Sequence, residues 1–191
     1  EAFVSPLIGR AKAIVRYGLE TAKPEEERDP AYKGDALAAR RTELTNAMTR
    51  EDRDIEILKL TDSLSMLYEL AESRGNGRKI GDVTIPWPVF GAIYGGLSPK
   101  GRATSIVMNT KLCDAEYVNQ LLDGGIDAMR ASDDGALQMA LAIEPLTKER
   151  TEIYNLKVSE PMRQAYAKIA KIRFAVYGDT IYPDAKFTLR L

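Results

Sequence analysis

Four Xaa-Pro pairs constrain the fold of this chain more than any other feature. Ser5-Pro6, Asp29-Pro30, Ser98-Pro99 and Glu144-Pro145 each read as a helix start. Proline's missing N–H would be unpaired in a first helical turn anyway, and Ser or Asp before it can cap that turn. Glu144 is the poorest cap of the four. Between these starts the apolar residues recur at the period of a helix. Leu7, Ile8, Ala11, Ile14, Val15, Gly18 and Ala22 share one face, and so do Ile57, Leu60, Leu64, Leu67 and Ala71. Val118, Leu121, Leu122, Gly125, Ala128 and Met129 do the same further on. The pattern predicts helices over 5–22, 30–48, 53–73, 99–108, 115–131, 134–143 and 145–177. The expected class is all-α, a multi-helix bundle-like domain.

Three places depart from that pattern. Met162, Tyr166, Ile169, Ile172 and Val176 form a long stripe, but Pro161 stands ahead of it, so a kink or break is expected there. Gly178 is a natural stop. Residues 74–97 are Gly-rich and hold Asn76-Gly77 and Pro86-Trp87-Pro88. They read as a long loop with one short helix near 89–94. After Tyr182-Pro183-Asp184, residues Phe187, Leu189 and Leu191 alternate with polar ones, a period-2 strand signal. A lone strand has no partner in a helical chain. The expected organisation is a helical domain over 1–178 and a severed strand over 179–191 that returns to a sheet elsewhere in a longer parent.

The 191 residues contain no histidine. That excludes a Ser-His-Asp or Cys-His catalytic set within the chain, and the common His-containing zinc and di-iron sites. One cysteine, Cys113, excludes an internal disulfide. Lys and Arg number 27 against 28 Asp and Glu, which argues against nucleic acid as the main partner. No apolar run approaches membrane-spanning length, and no membrane partner is expected. No signal peptide is recognisable at Glu1.

The candidate chemistry has mostly structural readings. Asp123 and Asp127 stand one helical turn apart, with Asp133 and Asp134 close behind; a hard cation wants such oxygens, but calcium-loop spacing is absent. Asp127 can instead pair with Arg130, and Ser132, Asp133 or Asp134 can cap the next helix. Glu25, Glu26 and Glu27 read as solvated. Gly75-Asn76-Gly77 and Gly95-Gly96 suit turns better than phosphate loops. Cys113 lacks a basic partner and reads as structural. Trp87, between two prolines, either anchors the long loop or faces a ligand; packing is the commoner fate of a lone Trp. No cofactor, metal site or catalytic residue is expected.

The run Ala165–Gly178 (AYAKIAKIRFAVYG) leads into Tyr182–Leu191 (YPDAKFTLRL). This resembles the bacterial dipeptidyl-peptidase 7 and dipeptidyl-peptidase 11 family of serine exopeptidases. Asn109–Asp114 (NTKLCD), Gly124-Gly125 and Ala131–Asp134 (ASDD) resemble the same family, and Lys23–Arg28 (KPEEER) fits it more weakly. Gly135 and Lys186 depart from its usual residues. The resemblance implies two chymotrypsin-like β-barrels carrying a His, Asp and Ser triad, with a helical domain inserted between them. That domain caps the cleft and restricts the enzyme to free N-terminal dipeptides. This chain matches the insertion, and no triad position maps onto it. Further implied are a peptide substrate, the barrels of the same parent chain as partners, and a periplasmic or cell-surface location. The surfaces expected to face substrate are 115–143 and 74–97, through Trp87, Asp123 and Asp127. If the helices lean on absent barrels, exposed apolar faces would favour a homo-oligomer. Two rival readings are a free-standing non-catalytic helical binding or scaffold protein of the same ancestry, and a stand-alone carboxylate- or metal-dependent hydrolase.

Overall fold

A computed structural model describes residues 5–46, 53–80 and 83–178. Its helices are α1 (Pro6–Thr21), α2 (Gly34–Thr45), α3 (Arg53–Leu70), α4 (Trp87–Tyr94), α5 (Pro99–Asn109), α6 (Ala115–Ala131), α7 (Gly135–Tyr154) and α8 (Glu160–Tyr177). Strands β1 (Glu72–Arg74), β2 (Gly77–Ile80) and β3 (Val83–Pro86) stand between α3 and α4. The fold is mostly α, as the periodicity predicts. By contacts the chain divides into two units, Glu1–Pro145 and Leu146–Leu191. The strand expected over 179–191 lies outside the described residues.

Three of the four proline starts cap as expected. Ser5 Oγ accepts from the Ile8 amide at 3.2 Å, and Ser98 Oγ from Gly101 at 3.2 Å. Asp29 accepts from the Ala31 amide at 2.9 Å, but opens only a 3-10 turn, Pro30–Tyr32. Helix α2 begins after it, at Gly34 with φ 49°. Glu144-Pro145 starts nothing, because Pro145 lies inside α7. The cap that begins α7 is Asp134, whose Oδ1 accepts from Ala136 at 3.0 Å and Leu137 at 3.3 Å. The two helices expected over 134–143 and 145–177 are therefore joined as far as Tyr154. A π turn, Asn155–Ser159, then separates α7 from α8, with Pro161 in the first turn of α8. A local change of winding is how a helix accommodates a residue that cannot donate.

In the first unit α3 packs chiefly on α5, and α1 on α6. Leu60 and Leu64 of α3 are fully buried, as are Ala103 and Ile106 of α5, at 0–1% exposure. On the other pair, Ile14, Val15, Val118 and Met129 are equally dry. Each buried aliphatic side chain stabilises the fold by about 1.5–3 kcal/mol. The α1–α6 approach is close at Gly18, where an added Cβ would stand 2.6 Å from Met129 Sδ.

Residues 72–86 correct the loop reading. They form an antiparallel meander in the order β1-β2-β3, with Glu72 opposite Lys79 and Arg78 opposite Ile85. Gly75, at φ 53°, takes the first central position of the two-residue turn, where a primed turn needs a left-handed residue. At Gly77 a side chain would collide with the Ile85 carbonyl, so only glycine lets β2 and β3 pair. The strands escape a pattern search because β1 and β2 are almost wholly polar and bury little.

The second unit is different in kind. No residue of α8 is buried. Its stripe residues Met162, Tyr166, Ile169, Ile172 and Val176 are all exposed, at 47–66%. Helix α8 ends at Gly178, which has φ 56°.

Candidate functional site

Three places carry the residues singled out from the sequence. The first is the junction of the meander with α4. Trp87 opens α4, stands 44% exposed, and donates from Nε1 to the Gly75 carbonyl at 3.2 Å. Its ring meets Phe90 edge-on at 6.1 Å between centroids. Phe90 continues to Tyr94 at 4.5 Å and Tyr68 at 6.2 Å. The Arg78 guanidinium lies 4.6 Å from the Tyr68 centroid and 5.0 Å from that of Phe90. It also donates to the Ala71 carbonyl at 2.7 Å and the Tyr68 carbonyl at 3.2 Å. Cation–π attraction and these hydrogen bonds fix the aromatic group to the end of α3. Both readings of Trp87 hold in part: one edge anchors the turn, and the rest of the indole faces solvent. Tyr94 donates to the Leu64 carbonyl at 2.7 Å, and burial pushes its phenol up to about 12.

The second place is α6. Asp123 and Asp127 do not share one helical turn, because Gly125 between them has φ 63° and ψ −160°. Only glycine adopts that conformation readily. Gly125 therefore breaks the helix that it seemed to extend as a face residue. Asp123 pairs with Arg41 of α2 at 2.6 Å, and their hydrogen bond raises the Arg41 pKa. Asp127 pairs with Arg130 at 3.2 Å, the expected i+3 partner. The two carboxylates are thus held by different arginines, and neither shares a partner with Trp87. Among the described residues, no group of three or more His, Cys, Asp or Glu side chains is placed to hold a metal ion.

The third place is the α5–α6 connection, which carries the NTKLCD run. Asp134, 3% exposed, accepts at Oδ2 from Thr110 Oγ1 at 2.9 Å and the Lys111 amide at 2.8 Å. With its Oδ1 contacts this one carboxylate receives four hydrogen bonds. From the other side Arg10 donates to the Leu112 carbonyl at 2.9 Å and to the Leu44 carbonyl at 2.8 Å. Burial lowers the Arg10 pKa. Cys113 is a free, half-buried thiol in this clamp. The arrangement positions a connection; it contains no nucleophile–base pair.

Sequence reasoning missed Arg10, Arg41 and Arg78. Nothing local marks an arginine whose partners lie 30–100 residues away. The Gly124-Gly125 doublet, by contrast, was a legible sign of a helix break.

No described helix is long and apolar enough to cross a membrane. A family model described as Peptidase S46 matches residues 1–191, the whole sequence. A search of curated proteins returned no match.

Proposed function

The chain belongs to the peptidase S46 family, and from that premise we propose that it is the helical cap of a serine-type dipeptidyl-peptidase. The observation that carries the reading is a whole-length match to a peptidase family in a mostly helical chain without a histidine. A triad chemistry that needs an imidazole base must draw it from residues outside this sequence. The role left to these residues is steric. A helical wall over a cleft admits an N-terminal two-residue stub and blocks deeper entry. It also excludes water and orients the peptide, which lowers the barrier to acyl transfer.

The surfaces assigned to substrate are the aromatic shelf at Trp87 and the acidic stretch at Asp123 and Asp127. A half-exposed indole offers an apolar plane to peptide side chains. Exposed carboxylates favour approach of a free α-ammonium group. The proposed setting is the periplasm or cell surface, and the proposed partners are peptide substrate and the barrels of the parent enzyme.

Two measurements test this. The 191-residue protein, incubated with peptides bearing free N-termini, should release no dipeptide; release that a serine-directed inhibitor blocks would overturn the reading. In the peptidase that carries this sequence, Trp87→Ala should raise KM about threefold to tenfold with kcat nearly unchanged, the mark of lost uniform binding. Unchanged KM would remove Trp87 from the substrate surface.

A further inference from the structure

Two exposed helix rows on this molecule are complementary to each other. The outer face of α3, away from the buried Leu60 and Leu64, presents Ile55, Leu58, Asp62, Met66 and Leu70. The four apolar members are 50–63% exposed. Asp62 is exposed in the middle of them. The row on α8 presents Met162, Tyr166, Ile169, Arg173 and Val176, its apolar members 47–66% exposed. Arg173 is exposed within it. Each row is thus an apolar seam interrupted by a single charge, an anion on one and a cation on the other. Neither charge forms an ion pair with another described residue.

We propose that a second copy of this chain covers these faces, the α8 seam of each copy docking on the α3 seam of the other with Arg173 against Asp62. The spacings agree. Ile55, Leu58 and Asp62 follow one another at three and four residues, and so do Tyr166, Ile169 and Arg173. A register that sets Arg173 beside Asp62 therefore also sets Ile169 beside Leu58 and Tyr166 beside Ile55. Alternating steps of three and four are those of a helix–helix seam.

The charges choose the partner. Covering either seam with a purely apolar surface would bury an unpaired ion, which is strongly unfavourable. Pairing α8 with a second α8, or α3 with a second α3, would set like charges together. Only the cross pairing satisfies both, and one copy carries both halves. The exchange is reciprocal, so it closes as a two-fold dimer with two identical seams. A seam charge matched only by its opposite fixes register and excludes other pairings. This inference is independent of the peptidase reading and stands or falls without it.

The test is a charge-reversal cycle read by sedimentation equilibrium of the purified protein. Both positions are exposed, so reversal leaves the fold intact, and circular dichroism checks that it has. The wild type should show a concentration-dependent monomer–dimer equilibrium. Asp62→Arg alone and Arg173→Asp alone should each weaken dimerisation roughly tenfold or more. The double variant D62R/R173D should return to near the wild-type constant. A protein monomeric throughout the micromolar range would overturn the proposal. So would a dimer indifferent to either single reversal, or a double variant no better than the singles.

Discussion

Glu1–Pro145 and the helical stretch that follows it obey the same sequence rule with opposite results. In both, apolar residues recur at helical spacing. In the first unit the stripes of α1, α3, α5 and α6 meet one another, and Ile14, Leu60, Ile106 and Val118 are sealed from water. In α8 an equally regular stripe remains exposed along its whole length. Polar groups divide the same way. Asp134 is buried under four hydrogen bonds, and Glu144 is buried against Arg16 at 2.7 Å. The charges of α8 pair locally and in solvent, as Glu160 does with Arg163. An amphipathic period therefore specifies a helix and its sticky face, but not what lies opposite that face.

The sharpest way to break this comparison is to shorten one aliphatic side chain in each unit. Leu60→Ala should cost about 3 kcal/mol, since it empties a fully buried site. Ile169→Ala in α8, measured on monomer, should stay within about 0.5 kcal/mol, since the side chain is already 52% exposed. Urea unfolding reads both. Equal losses would mean that α8 is covered in solution by something that survives dilution.

Next in size is Asp134→Ala, which should cost about 2 kcal/mol by leaving the Thr110 hydroxyl and three amides without their acceptor. Asp134→Asn should recover part of that loss. Arg163→Ala, which breaks the exposed pair in α8, should move stability by less than about 0.5 kcal/mol. An effect as large as that of Asp134 would remove the distinction between buried and solvated charges.

Smaller again is Gly125→Ala, expected at about 1–3 kcal/mol because φ 63° with ψ −160° strains any side chain. A neutral result would show that α6 can straighten there, which would align Asp123 and Asp127 as the bare sequence suggests.

How far the sequence could be read follows from these cases. Caps at Ser5 and Ser98 were legible because a cap is made by residues three apart. The buried faces of α1, α3 and α6 were legible from period alone. Glu144-Pro145 misled because a local start signal lost to Asp134, ten residues earlier, which caps α7 with tertiary support from Thr110 and Lys111. The meander stayed hidden because β2 bonds through its backbone while its side chains are Arg78, Lys79 and their like. Of the candidate site, Trp87 was visible as a lone aromatic among prolines. Its neighbours Tyr68 and Arg78 were not, since a cation over a ring is a contact in space that no short motif records.

The last and smallest effects come from pH, which pulls on the two units from opposite ends. In the first, Tyr94 is held neutral by burial, with its phenol raised from 10 to about 12. The folded form therefore keeps a proton that the unfolded chain has lost between those values. Stability is complete below pH 10 and falls as pH rises through 12. Tyr94→Phe should flatten that slope in alkaline melts. In α8, hydrogen bonds from Arg163 and then Gln164 hold the Glu160 carboxyl down from 4.5 to about 2. Here the helix favours the ionised form, so its contribution is present above pH 4.5 and lost as pH falls through 2. The group is fully exposed, so the effect should be local and weakened by salt. Carboxyl NMR of Glu160 and exchange of the α8 N-terminal amides would register it, and Arg163→Ala should bring the titration back toward 4.5. If Arg163→Ala instead shifted the alkaline melt governed by Tyr94, the two units would not be energetically separate.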